Sequence, residues 1–285
     1  MYILAEPLAF VIRPIYNIIQ NYGITLIIVT ILIRLCTIPL TIKSQKSMSK
    51  TQLLQPELQK LQEKYKNDKE KLSMEMQKLY TKHGVNPMGG CLPLIVQMFI
   101  LFGFIGVVYN PLKYILQLTQ AQINTISEAV GAASTTYQVT LCGMKGAAEQ
   151  IIALGKEPIN FNFFGIDLTQ MLKGNESDIM LWIFPVLAVL ATVATSYITK
   201  KQSAANNSQA NEKAQSMSNS MMTIMPVMTA FFVYTMPVGM SLYWFISTLS
   251  QIVQQTFITN SVNKKMKEEL SAERMGKNDN NRKKR

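Results

Sequence analysis

The sequence predicts an all-α polytopic membrane protein, with five transmembrane helices that enclose a hydrophilic groove. Its apolar residues gather in runs of about 17–25 residues, the length that crosses a hydrocarbon core about 30 Å thick. Charged residues gather between those runs. The chain has 285 residues, is 48% hydrophobic and has a formal net charge of +11. Because apolar and charged residues are segregated in this way, the apolar side chains are expected to face lipid or neighbouring helices.

Five apolar segments are predicted to span the membrane. They cover residues 24–42, 91–112, 179–199, 221–236 and 240–260. The fourth is short, and Pro226 within it predicts a kink because proline removes a helix hydrogen bond. Only residues 237–239 separate the fourth segment from the fifth, which leaves room for a tight extracellular turn.

The lysine and arginine residues between the spans predict the orientation. The segment 43–90 holds ten lysines and the segment 261–285 holds nine Lys and Arg, whereas 113–178 holds four lysines and 1–23 a single arginine. Cytoplasmic segments carry the excess of Lys and Arg. The N-terminus and the loop 113–178 are therefore predicted to lie outside. The predicted cytoplasmic segments are 43–90, 200–220 and the basic tail 261–285.

The segment 1–23 has the periodicity of an amphipathic helix. Its apolar residues recur at helical spacing, and they are Leu8, Val11, Ile12, Ile15, Ile18 and Ile19. A mixed segment of this length is too short to span a bilayer, so the helix is predicted to lie in the interface on the extracellular side. No cleavable secretory signal is expected, because no lysine-rich start precedes a cleavage site of small residues.

The cytoplasmic segment 43–90 contains two apolar stripes at helical spacing. The first consists of Leu54, Leu58, Leu61 and Tyr65, and the second of Leu72, Met76 and Leu79. The polar stretch KNDKE lies between them. This pattern predicts an antiparallel helical hairpin that projects into the cytoplasm. A merely solvated, charged loop is the alternative, and the apolar stripes argue against it because they need a partner.

Arg34 lies near the middle of the first predicted span. A charge at this depth costs about 2.5–3.5 kcal/mol on insertion scales, while each neighbouring Leu or Ile contributes roughly 0.3–0.6 kcal/mol in favour of insertion. The helix can therefore insert, but the arginine needs water or a polar partner. Thr30, Thr37 and Thr41 lie on the same helix face as Arg34. No Asp or Glu lies in any predicted span, which favours water around this charge and argues against a proton-coupled or sodium-coupled transporter.

Polar residues form matching faces on the other spans. They are Gln97 in the second span, Thr192 and Ser196 in the third, and Trp244, Thr248 and Gln251 in the fifth. Polar faces of membrane helices turn toward each other or toward water. Together with Arg34, Thr30 and Thr37, these residues are the predicted lining of the groove. Ser and Thr side chains also serve helix packing, and for them packing and groove lining remain equal alternatives.

The sequence offers no candidate catalytic, cofactor or metal site. Its three cysteines, Cys36, Cys91 and Cys142, form no CxxC pair, and His83 is the only histidine. The motifs HExxH and GxSxG are absent from the sequence. A protein that is not an enzyme and needs no cofactor is therefore predicted.

Four stretches resemble the YidC/Oxa/Alb family of membrane protein insertases, in its Gram-positive bacterial form. The most specific is YTKHGVNPMGGCLPLIVQM, residues 80–98. The others are the first span with Arg34 followed by PLTIKSQKSMSK, the stretch QPELQKLQEKYKND, and the end MPVGMSLYWFISTLSQIVQQTFITN. Phe99 stands where the family usually has proline after Gln-Met, so a less kinked second span is expected. The loop 113–178 is longer than the family leads one to expect.

The resemblance implies a protein of the bacterial plasma membrane that inserts nascent membrane proteins and helps them fold, alone or with the Sec translocon. A hydrophilic segment of the substrate would enter a groove open to cytoplasm and lipid, attracted by the charge of Arg34. No small-molecule substrate is expected. A small-molecule transporter or channel is the alternative, and the absence of paired internal repeats argues against it.

The basic tail 261–285 has two possible partners. It can bind anionic lipids, at about 1 kcal/mol per basic residue near the surface. It can also contact the ribosome, where its basic residues and those of the hairpin tip around Lys66–Lys69 would both bind rRNA phosphates. The polar stretch 276–281 is predicted to be disordered, which would let the last basic residues extend away from the membrane.

Overall fold

The computed structural model describes residues 4–86, 92–133, 136–206 and 212–282, and this part of the chain is mostly helical. The helices are α1 (Ala5–Ile19), α2 (Tyr22–Leu53), α3 (Gln55–Lys64), α4 (Lys69–Lys82), α5 (Leu92–Tyr109), α6 (Pro111–Tyr114), α7 (Gln120–Ala129), α8 (Gln138–Cys142), α9 (Ala147–Ala153), α10 (Ile183–Asn206), α11 (Glu212–Thr235) and α12 (Val238–Arg282). A 3₁₀ turn, Ile179–Trp182, precedes α10. Two short antiparallel strands, β1 (Asn162–Phe163) and β2 (Ile166–Asp167), form a β-hairpin that the sequence did not predict.

Within the described residues, two helices are long and apolar enough to cross a membrane, and they cover Tyr22–Thr51 and Ile179–Lys201. Two shorter apolar helices cover Ile95–Tyr109 and Thr223–Thr235. These four coincide with four of the predicted spans, and the remaining one, 240–260, lies within α12. The helices agree with an all-α membrane protein, while the count of five spans stays a prediction.

Three helices run farther than the predicted segments. The backbone of α2 continues beyond residue 42 to Leu53, and α10 continues into the predicted loop 200–220. The backbone of α12 continues to Arg282, and the disorder of 276–281 in solution stays a prediction. A helix that is already formed extends without a new nucleation step. Apart from one serine, residues 264–275 of α12 are Lys, Glu, Met, Leu, Ala and Arg, which are good helix formers.

The chain divides into two compact units. The first comprises Met1–Leu35, Ile95–Lys200 and Asn219–Ser250, and the second comprises Cys36–Leu94, Lys201–Ser218 and Gln251–Arg285. The first unit contains the larger core, which includes Tyr22, Leu26, Phe104, Leu168 and Leu242, all nearly inaccessible to solvent. The polar side chains near Arg34 are therefore surrounded by well-packed apolar residues.

The helix α1 belongs to the first unit and has two apolar faces. Ala5, Ala9, Ile12 and Tyr16 are buried against the protein at four- and three-residue steps. Phe10 and Ile18 are 77% and 84% exposed. The predicted apolar stripe is thus divided, because Ile12 faces the protein core and Ile18 does not. The exposed face suits the interfacial position that the sequence predicts.

Residues 110–178, which we call the loop region, form a folded part of the first unit. Seven apolar residues make a separate core there, and they are Leu112, Leu118, Ile123, Ile126, Leu141, Ala147 and Ile151. Thr119 and Gln122 form a capping box at the start of α7. Burial raises the pKa of the Cys142 thiol to about 12, so this cysteine stays protonated and unreactive.

In the second unit, α3 and α4 form a helical hairpin, as the two apolar stripes predict. Leu54, Leu58 and Val85 are buried together. The Nε2 atom of His83, just after α4, lies 3.8 Å from Oε2 of Glu57 near the start of α3, as expected for antiparallel helices. The hairpin begins later than predicted, since residues 43–53 continue α2.

Candidate functional site

The helix α2 carries Arg34 about 18 Å from its first residue, at a rise of about 1.5 Å per residue. The side chain is half-buried. Its Nη2 atom donates a hydrogen bond of 2.6 Å to Oγ of Ser247 on α12. The sequence predicted that Arg34 needs water or a polar partner and favoured water, and the Ser247 hydroxyl is a polar partner supplied by the protein. A neutral hydroxyl accepts from the guanidinium, so no acidic residue is required.

Three further contacts extend this pair into the Arg34 network, defined as Arg34, Ser247, Tyr243 and Gln97. The Tyr243 hydroxyl lies one turn before Ser247 and is hydrogen-bonded to it. The same hydroxyl accepts from Nε2 of Gln97 on α5, at 3.2 Å. The Tyr243 ring stacks on Phe104, with centroids 4.1 Å apart. The network therefore joins α2, α5 and α12 within the first unit.

The surroundings of the network restrict how its members move. Ser247 is only 5% exposed, and Tyr243 and Phe104 are buried. Hydrogen bonds to charged groups contribute about 1.5–3 kcal/mol, roughly twice the value for neutral pairs. The short Arg34–Ser247 contact is thus the strongest polar link that the network contains, and it fixes the direction of the guanidinium.

Two of the predicted threonines bond within their own helices. Thr30 Oγ1 donates to the carbonyl of Leu26 at 2.6 Å, and Thr192 Oγ1 donates to the carbonyl of Ala188 at 2.9 Å. Both threonines are buried. A hydroxyl that is satisfied by its own helix serves close packing, so the structure favours the packing interpretation for these two residues.

The other predicted groove residues have varied surroundings. Thr248 is buried, and Ser196 is half-buried. The Trp244 ring lies 6.2 Å from the Phe232 ring, at an interplanar angle of 34°. Thr37 and Gln251 belong to the second unit, where Thr37 is half-buried and Gln251 is exposed. Of the predicted residues, Arg34 and Gln97 are the two that enter the Arg34 network.

Sequence reasoning missed Ser247 and Tyr243 as members of the site. The predicted polar face of the fifth span contains Trp244, Thr248 and Gln251. Ser247 and Tyr243 directly precede Thr248 and Trp244 in the chain. They therefore lie about 100° away from that polar face around the helix axis, since each residue advances by about 100°. Their four-residue spacing is the signal that could have found them, because it places two hydroxyls on one face.

The network offers a cation, two hydroxyls and an amide, and this set is suited to binding anions. The part of the chain that the structure describes contains no cluster of three His, Cys, Asp or Glu that could hold a metal ion. An arginine keeps its charge in a protein, because the guanidinium group is not deprotonated there. The chemistry available is electrostatic attraction and hydrogen-bond donation toward a carboxylate.

A second polar cluster lies where the loop region meets the end of α11. The Tyr234 hydroxyl donates to Oε1 of Glu176 at 2.6 Å, and the Gly174 N–H donates to the same oxygen at 2.9 Å. These bonds, with the backbone bond first in importance, lower the pKa of the Glu176 carboxyl to about 2. Trp182 Nε1 donates to the Glu176 carbonyl at 3.0 Å. The cluster ties the segment before α10 to α11.

Comparison with known proteins gives one family and several relatives. Residues 14–266 match the family described as 60Kd inner membrane protein. The chain is 32% identical over 257 residues to a protein of Fusobacterium nucleatum named membrane protein insertase YidC, covering 90% of this chain and 95% of that one. It is 27% identical over 259 residues to the Geobacter metallireducens protein of that name, covering 91% of this chain but 37% of the relative. A match of 50% identity over 115 residues with the Syntrophus aciditrophicus protein of that name covers 40% of this chain and 20% of the relative.

Proposed function

Because the chain belongs to the 60Kd inner membrane protein family, we infer that it is a membrane protein insertase of a bacterial membrane. Its relatives carry this name, and one of them is matched over nearly its whole length. The observation that supports the inference within this chain is Arg34, a charged residue inside an apolar helix that is long enough to cross a membrane. No catalytic step is proposed for it.

The proposed mechanism lowers the cost of moving an acidic segment through the membrane. A carboxylate at mid-bilayer depth costs about 2.5–3.5 kcal/mol on insertion scales. Two opposite charges 4 Å apart attract by about 4 kcal/mol at an effective dielectric constant of 20. The two quantities are similar, so one guanidinium can offset the insertion cost of one carboxylate. Apolar segments of the substrate would then pass into lipid, driven by the burial of apolar surface.

Ser247 has a positioning role in this mechanism. Its hydroxyl holds the guanidinium without neutralising it, because a hydroxyl carries no charge. Tyr243 and Gln97 hold Ser247 in turn, through the hydrogen bonds at the Tyr243 hydroxyl. The remaining predicted groove residues would line the path of the substrate, with Thr30 and Thr192 serving the packing of their helices.

The proposed topology places five spans in the membrane, with the N-terminus and 113–178 outside. The segments 43–90, 200–220 and 261–285 are then cytoplasmic. The distribution of Lys and Arg supports this orientation. The groove would open toward the cytoplasm and lipid, and the helical hairpin would project into the cytoplasm.

The basic tail is proposed to contact the ribosome or anionic lipids, and a Sec translocon is a further proposed partner. The continuous helix α12 extends about 33 Å beyond residue 260, so the tail would present its charges on a helix. Ribosome contact predicts that truncation after Asn263 weakens co-sedimentation with ribosomes, and that salt reduces the full-length signal steeply. Unchanged co-sedimentation after truncation would leave lipid as the tail's partner.

The function is tested by complementation in bacteria depleted of their own insertase. The readout is protease access, from outside, to the tail of two substrates that differ only in whether the tail is acidic or neutral. We expect Arg34→Ala to reduce insertion of the acidic substrate and Arg34→Lys to retain much of it. Arg13→Ala is the matched control, because it removes an arginine that pairs with Glu6 on α1. Equal insertion by wild type and Arg34→Ala, at matched expression, would contradict the proposed role.

A further inference from the structure

The tip of the β-hairpin carries an unusual aromatic residue. Phe164 is 83% exposed and has a φ of 52°, and Gly165 beside it has a φ of 82°. A two-residue hairpin turn with positive φ at both positions normally has Asn-Gly or Asp-Gly. Phenylalanine is disfavoured in this conformation because of its Cβ atom. In water the exposed ring would be unfavourable as well, so the position combines two local disadvantages.

The β-hairpin is held firmly against the start of α2. Asn21 Nδ2 donates to the carbonyl of Asn162 at 2.9 Å, and the Tyr22 N–H donates to the carbonyl of Asn160 at 2.9 Å. A Cβ atom on Gly23 would lie 2.5 Å from Cγ of Phe163. The absence of a side chain at Gly23 therefore allows the close approach of the hairpin to this helix.

The β-hairpin also contacts the start of α10. The ring centroids of Phe163 and Phe184 are 5.8 Å apart. Phe184 is the second residue of α10, just as Gly23 is the second residue of α2. Because Phe163 touches the N-terminal ends of both apolar helices, these ends lie at the same level. Phe164 follows directly in the chain and contacts the Phe163 ring, with centroids 4.7 Å apart.

If α2 crosses the membrane with Arg34 near the bilayer middle, this level would correspond to the boundary between the hydrocarbon and the headgroups. Arg34 lies eleven residues after Gly23 in α2, a distance of about 17 Å along the helix. That is close to half the thickness of a hydrocarbon core of about 30 Å. Ile18 and Ile179, which adjoin the starts of α2 and α10, are 84% and 81% exposed. Exposed apolar side chains thus flank both helix ends.

We propose that Phe164 inserts into the lipid at the boundary beside the N-terminal ends of α2 and α10, and that it anchors the loop region to the membrane. Trp and Tyr are enriched at this depth, as Trp182 in the turn before α10 illustrates, and the apolar Phe164 ring at the same level gains free energy by leaving water. Lipid contact explains why an apolar ring stands at a position whose backbone favours Asn. The anchor holds the start of α2 at a fixed depth, which in turn sets the depth of Arg34. The proposal requires that α2 and α10 cross the membrane and does not depend on insertase activity.

The test measures the depth of residue 164 in vesicles of phosphatidylethanolamine and phosphatidylglycerol. A spin label is attached to Phe164→Cys in the full chain, with Cys36, Cys91 and Cys142 replaced by alanine. Power saturation compares access of the label to oxygen, which prefers lipid, and to a nickel chelate, which prefers water. A separate variant that keeps Cys36, exposed in the apolar part of α2, as its single cysteine is the lipid reference. Asn124→Cys, exposed on α7, is the water reference.

We expect the oxygen-to-nickel ratio at residue 164 to exceed that of residue 124 severalfold and to approach that of residue 36. A ratio equal to that of residue 124 would overturn the proposal. A second variant keeps a ring at the tip: Phe164→Trp with Trp182 and Trp244 replaced by phenylalanine. Its fluorescence should be quenched by brominated lipid and protected from iodide. Quenching by iodide but not by brominated lipid would indicate a water-exposed or protein-binding tip and would overturn the lipid anchor.

Discussion

The loop region, apart from its first three residues, and the helical hairpin lie outside the predicted spans, but they differ in how many apolar side chains they bury. The loop region has a core of seven buried apolar residues supplied by α6, α7, α8, α9 and their connections. The helical hairpin buries three, Leu54, Leu58 and Val85. A surface pocket of about 670 Å³ lies along α4 and is lined in part by Leu72, Met76 and Tyr80. The loop region is thus built as a fixed support, whereas the hairpin keeps apolar side chains partly uncovered.

The difference assigns different tasks to the two regions. The loop region contacts the N-terminal ends of α2 and α10 through its β-hairpin. The helical hairpin has little packing to lose when it changes shape. Regions with few buried contacts open at low free energy. A thinly packed surface of this kind suits transient contact with a succession of partners.

The largest expected effect comes from removing one core side chain in each region. Ile126→Ala should lower the local unfolding free energy of the loop region by about 3–5 kcal/mol, and Leu58→Ala that of the hairpin by about 2–3 kcal/mol. Ile126 is completely buried within a larger core, so the cavity it leaves is less able to collapse. Hydrogen exchange measured peptide by peptide reports both values. An equal or larger loss at Leu58 would contradict the comparison.

The next effect concerns the contact between the β-hairpin and α2. Gly23→Ala should destabilise the loop region by about 1–3 kcal/mol, because the added Cβ overlaps the Phe163 ring. The measurement is thermal unfolding in detergent, followed by tryptophan fluorescence. Ile24→Ala is the control, since this neighbouring side chain is exposed and should change stability little. Similar stability of the two variants would show that the close approach at Gly23 is not needed.

An effect of similar size is expected from Ser247→Ala. The variant loses the 2.6 Å hydrogen bond from Arg34 but keeps the charge. We expect a stability loss of about 1.5–3 kcal/mol and a reduction of insertion of about twofold to fivefold, less than that for Arg34→Ala. Ser250→Ala, on the same helix and half-buried, is the control. If Ser247→Ala abolished insertion as fully as Arg34→Ala, the hydroxyl would be more than a support for the guanidinium.

The smallest effect is a dependence on pH at Glu176. The folded protein holds the pKa of this carboxyl at about 2, below its usual value of 4.5. The stabilisation is therefore present above about pH 4.5 and is lost as the pH falls toward 2. Trp182 fluorescence should change over this range, since its indole donates to the Glu176 carbonyl. Glu176→Gln should remove the change, and a transition that persists in that variant would assign it to another group.

The sequence predicted the helices and missed the contacts between distant segments. Regular spacing of Leu54, Leu58, Leu72 and Met76 is a local signal, so the helical hairpin could be predicted. The loop region folds through short helices and irregular turns, and no periodic pattern marks its core. Arg34 and Gln97 were found because polar residues are conspicuous in apolar runs. Ser247 was missed because one serine on α12 is not distinguished from others until α2 is packed beside it.

The two units explain a further limit of sequence reasoning. Thr30, Arg34 and Thr37 share one face of a single helix, and the sequence therefore grouped them. The structure places Thr30 and Arg34 in the first unit and Thr37 in the second. Helical spacing determines which side chains share a face, but it does not determine which neighbours that face meets.

The central claim is that the charge of Arg34 attracts acidic segments of the substrate. The most direct measurement is insertion into proteoliposomes of three substrates that differ only in a tail with two acidic, no charged or two basic residues. With the wild type, insertion should fall in that order, and Arg34→Ala should reduce insertion of the acidic tail about tenfold, the equivalent of about 1.4 kcal/mol. Arg34→Glu should reverse the order. If all three proteins rank the three tails alike, the charge of Arg34 does not select the substrate and the account is wrong.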